Sequence, residues 1–115
     1  MEIRIIKEPI SRQELTEIAK VGFGEMVKAV VDVEQGIMSI GGELHADEEV
    51  VLASRCNSKR PNTWGINLYP NRSGDSWIEF DSMVNIKPLE GNRSRGVENK
   101  DIQLKIKDIV SKLIS

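Results

Sequence analysis

Residues 27–40 read VKAVVDVEQGIMSI, and their alternation decides the fold. Val27, Ala29, Val31 and Val33 fall on one face at a period of two, while Lys28, Val30 and Asp32 fall on the other, which is the pattern of a half-buried strand. Glu34, Gln35 and Gly36 supply a turn. Ile37, Met38, Ser39 and Ile40 then resume extended character until Gly41 and Gly42 interrupt it, so a hairpin is expected. Upstream, residues 3–6 (IRII) suit a terminal strand closed by Pro9. Ser11 with Glu14 forms a capping box, and Ile10 with Leu15 a hydrophobic staple, so a helix should start there and end near Phe23, where Gly22 and Gly24 weaken it.

Downstream, Asp47 ahead of Glu48 and Glu49 reads as a helix start, with a short helix expected to about Arg55. Residues 56–63 form a polar connection that begins at Cys56. Trp64, Ile66 and Leu68 alternate with Gly65, Asn67 and Tyr69 as a strand, and residues 70–75 (PNRSGD) turn the chain. A longer strand is expected over residues 77–87, with Ile78, Phe80, Ser82, Val84 and Ile86 on its core face. After Pro88 a Gly-, Asn- and Arg-rich loop leads to a last helix whose stripe is Ile102, Ile106, Ile109, Val110, Leu113 and Ile114. The expected class is therefore α+β: a single domain over residues 1–115, with a mostly antiparallel sheet of about four or five strands covered by about three helices, in the order βαββαββα.

With 115 residues, 39% of them hydrophobic, the chain has the length and apolar content for one compact domain and too little for a second. The net charge of −2 gives no global field for a polyanion, so nucleic acid is a weak expectation, and the five aromatic residues offer little stacking surface. Cys56 alone allows no intramolecular disulfide and points to a reducing, cytoplasmic setting. The opening residues lack the apolar region of a secretory signal, and no apolar run approaches the roughly 20 residues that cross a bilayer.

Three clusters carry candidate chemistry. Residues 41–49 (GGELHADEE) place the only histidine, His45, among carboxylates. Imidazole and carboxylate suit Zn, Mn or Fe, although the same residues also fit a cap at Asp47, solvated first-turn acids at Glu48 and Glu49, and a surface histidine. Glu79 and Asp81, about 6 to 7 Å apart on one strand face, could converge on a divalent metal, and with His45 and Asp47 they define a metal-dependent phosphoester hydrolase as one alternative. The third cluster, residues 91–96 (GNRSRG), precedes the last helix. Free N–H groups, the helix dipole and guanidinium forks there favour an anion. Lys87, Asn92, Arg93, Ser94 and Arg95 are accordingly the candidate ligand-binding residues for a small phosphate-bearing molecule. A homodimeric module pairing through a Trp77 and Met83 face is a further alternative.

The strings GGELHAD, WGINLYP, FDSMVNIKP and GNRSRGVE, with KEPISRQEL and AVVDVE, resemble a family of short bacterial and archaeal proteins known only as a domain of unknown function. The resemblance spans nearly the whole chain. It implies a stand-alone cytosolic domain and draws attention to His45, Asp47, Glu79, Asp81, Asn92, Arg93, Ser94 and Arg95 without giving them roles.

Overall fold

A computed structural model describes residues 2–115. The elements run β1 (Arg4–Ile6), α1 (Arg12–Val21), β2 (Val27–Asp32), β3 (Ile37–Ile40), α2 (His45–Cys56), β4 (Thr63–Leu68), β5 (Ile78–Glu79) and α3 (Lys100–Leu113), in the expected βαββαββα order. The strands form one antiparallel sheet, β1-β3-β2-β4-β5. The class is α+β.

The period-two register sorts side chains between two cores. Val27, Ala29, Val31, Met38, Ile40, Trp64, Ile66 and Leu68 meet Leu15 and Ala19 of α1 and Ile106, Ile109, Val110 and Leu113 of α3 on one face. On the other, Val30 and Ile37 meet Leu52 of α2. The layers are thus α1 and α3, sheet, α2. Ser11 Oγ accepts the Glu14 N–H across 3.0 Å, as the capping box requires. Gly22 ends α1 at Val21, two residues earlier than expected, because its N–H turns back to the carbonyls of Ile18 and Ala19. Among the described residues no helix is long and apolar enough to cross a membrane.

Two expectations are corrected. Helix α2 begins at His45 and runs through Cys56; its N-cap is Leu44, which offers no side-chain bond, so Asp47 lies within the first turn and caps nothing. The long strand stops after Glu79 and gives way to 3₁₀ turns at Met83–Asn85 and Pro88–Glu90. Gly65 and Asn85 explain the second change. The Asn85 amide takes the Gly65 N–H on Oδ1 at 2.7 Å and donates through Nδ2 to the Gly65 carbonyl at 2.9 Å, occupying the backbone groups that a neighbouring strand would have used. Ser82 and Val84 pack so close over Gly65 that a Cβ there would sit 2.5 Å from Ser82 Oγ.

The candidate cleft at the start of helix α2

β2 and β4 pair Lys28 with Asn67, and β4 and β5 pair Asn67 with Glu79, so these three side chains line up across the face that α2 covers. Over them opens a cleft of about 380 Å³ whose walls include Lys28, His45, Asn67, Tyr69, Glu79, Asp81 and Arg95. That volume suits a metabolite-sized molecule.

His45 is buried, at 9% exposure, and its Nε2 lies 2.8 Å from the Ile66 carbonyl. Burial holds its pKa below the usual imidazole value, outweighing the Ile66 carbonyl and the neighbouring Asn67 side chain, which raise it. Asn67, 6% exposed, donates through Nδ2 to Glu79 Oε1 at 2.9 Å and to the Asp81 carbonyl at 3.2 Å. Both partners are acceptors, which fixes the orientation of the amide and leaves Oδ1 without a partner among the described residues. Tyr69 donates its hydroxyl to the same Glu79 oxygen at 3.1 Å. Arg95 Nε donates to Asp81 Oδ1 at 2.7 Å, and its two terminal nitrogens bond to no described residue.

The sequence clusters are thus partly merged and partly separated. His45, Glu79, Asp81 and Arg95 share the cleft, although the strand expected to carry both acids ends between them. Asp47 is exposed on α2 and outside it. Among the described residues no three His, Cys, Asp or Glu side chains group closely enough to hold a metal ion.

The arginine-rich loop is largely satisfied from within. Glu98 Oε2 accepts the N–H groups of Arg93 at 2.8 Å and Ser94 at 2.9 Å, and these bonds pull its pKa down. A carboxylate of the chain itself therefore occupies the anion position of the turn, while Asn99 Oδ1 caps α3 through the Asp101 and Ile102 amides. Asn92 is buried, bonding through Nδ2 to the carbonyls of Asn85, Ser94 and Gly96 and through Oδ1 to the Glu98 N–H. Lys87 is buried beneath the chain, its ammonium 2.7 Å from the Val84 carbonyl and over the Trp64 ring; burial lowers its pKa to about 8. Of the five candidate ligand-binding residues, only Arg95 borders the cleft.

Trp77 and Met83 share no strand face, because Trp77 packs at its ring against the Arg12 guanidinium, 4.0 Å away, and Met83 lies in a 3₁₀ turn. Glu48, expected as a solvated acid, is fully buried. No motif in the sequence marks Lys28, Asn67 and Tyr69 as a site, and strand register is what brings them together. The one signal was their position on the strand faces opposite the most apolar ones.

No curated protein and no solved structure is matched by this chain. A family model described as "Protein of unknown function (DUF5674)" matches residues 4–113. Spanning nearly every element of the fold just described, that match shows that the chain belongs to the DUF5674 family.

Proposed function

We propose that this protein binds a small phosphate-bearing metabolite in the cleft at the start of α2, with the anionic group against the first turn of the helix and the rest of the molecule across β4 and β5. The observation that carries this reading is the free start of α2. Its cap residue Leu44 makes no side-chain hydrogen bond, and the amides of His45 and Ala46 have no acceptor among the described residues. Exposed N–H groups at the positive end of a helix dipole attract anions. Lys28 and the terminal nitrogens of Arg95 add positive charge on the same cleft. Glu79 and the Tyr69 hydroxyl on the same cleft can take part in hydrogen bonds, which suits the hydroxyl groups of a phosphorylated sugar or polyol.

The test is a titration of the ¹⁵N-labelled chain with inorganic phosphate and with glycerol phosphate. The expected result is saturable movement of the His45 and Ala46 amides, weakened in Arg95→Gln, with tighter binding of the polyol ester. Static amides at both positions up to high ligand concentration would overturn the reading.

A further inference from the structure

We propose that His45 Nδ1 is a phosphoryl acceptor, taking the group from an acyl phosphate bound in the cleft. This rests on the binding reading above and goes beyond it to a covalent step. Two observations converge on that nitrogen. The first is the tautomer. A carbonyl oxygen only accepts, so the 2.8 Å contact with Ile66 requires the proton to be on Nε2, and the neutral ring then carries its lone pair on Nδ1. Nδ1 bonds to no described residue, and the ring borders the cleft.

The second is the setting for the transferred group. A phosphoryl group in flight spreads negative charge over three equatorial oxygens, and catalysis consists largely of placing donors around them. The residues opening α2, with Lys28 and Arg95, carry such donors and all border the cavity that His45 lines. The nearby carboxylates are held by their own partners, Glu79 by Asn67 and Tyr69 and Asp81 by Arg95.

The step balances without a further reagent. The Nδ1 lone pair forms the N–P bond, the P–O bond to the acyl group breaks, and its electron pair leaves with the carboxylate. The ring proton stays on Nε2 against the Ile66 carbonyl.

Because His45 is the only histidine of the chain, the product reports on one residue. The experiment treats the folded full chain with acetyl phosphate and reads the intact mass, acid lability and ³¹P–¹H correlations, which separate the Nδ1 adduct from the Nε2 adduct. One acid-labile phosphoryl group on Nδ1 is expected. It should be absent in His45→Gln, which keeps a donor toward Ile66, and should form about a hundredfold more slowly in Arg95→Gln. An adduct on Nε2, or labelling no faster than in the urea-unfolded chain, overturns the proposal. Absence of an adduct while inorganic phosphate still moves the His45 and Ala46 amides overturns transfer and leaves binding standing; absence of both overturns both.

Discussion

The backbone N–H of Gly42 donates to Oε2 of Glu48 across 2.9 Å, and the carboxyl group that receives it is wholly withdrawn from solvent. The approach is possible because residue 42 has no side chain: a Cβ there would lie 3.0 Å from Glu48 Cγ and from Ile3 Cγ1. Burial raises the Glu48 pKa to about 9, offset in part by the Gly42 bond and the charge of Lys28. Glu48 is therefore a neutral acid at pH 7.

This makes stability fall with rising pH. Between the ordinary carboxylate value of 4.5 and about 9, the unfolded chain releases the Glu48 proton and the folded chain keeps it, so the native state binds more protons. The contribution is complete below 4.5 and is lost as pH climbs, at up to about 1.4 kcal/mol per pH unit. Glu48→Gln should flatten this slope in urea unfolding followed from pH 5 to pH 9. An unchanged slope would place the carboxyl in water.

Gly65→Ala should be costly. The added methyl meets Ser82 Oγ at 2.5 Å and Ser82 Cβ at 2.6 Å, so the 82–85 turn must move or β4 must bend, at about 3 kcal/mol. Ser82→Gly in the same chain should recover part of that loss, giving a favourable coupling in a double-mutant cycle measured by chemical denaturation.

Asn92 and Arg93 are neighbours with opposite roles in the fold. Removing the buried Asn92 amide orphans the carbonyls of Asn85 and Gly96 and the Glu98 N–H, so Asn92→Ala should cost about 3 kcal/mol. Arg93→Ala, at an exposed side chain, should stay within about 0.5 kcal/mol of the parent. Urea midpoints of the two variants decide it; equal losses would contradict this division.

Glu98 fills the anion position of the 93–94 turn, so Glu98→Ala should vacate it. The Arg93 and Ser94 amides, expected to ignore phosphate in the parent, should then shift on phosphate titration at low ionic strength. Response of these amides in the parent chain would show that the carboxylate is readily displaced.

Arg95 separates affinity from stability. Its bond to Asp81 joins two side chains that are each about half exposed, with 55% and 46% of their surface accessible, so Arg95→Gln should change stability by no more than about 1 kcal/mol. Phosphate affinity should drop about tenfold, the value of one charge-assisted bond. Calorimetric titration beside thermal unfolding measures both.

Local patterning was enough to define the framework. Period two placed Val27, Ala29 and Val31 in one core and Val30 in the other, and Ser11 with Glu14 began α1 where expected. These outcomes depend on neighbours a few residues apart, because side-chain direction and capping are local geometry. What local reading could not supply was the end of the last strand, since residues 78–87 alternate well enough to continue. Only the Asn85 side chain, reaching Gly65 from 20 residues away, closes the edge of β4.

The same distinction governs the site. That His45, Glu79, Asp81 and Arg95 were chemically notable followed from residue type alone, and so did the anion preference of the GNRSRG turn. Which groups remain free was decided by folding. Glu98 satisfied the turn, Lys87 and Asn92 went under the surface, and register set Lys28, Asn67 and Glu79 side by side beneath the uncapped start of α2. A polar group's availability depends on every partner within about 3 Å, and those partners come from all parts of the chain.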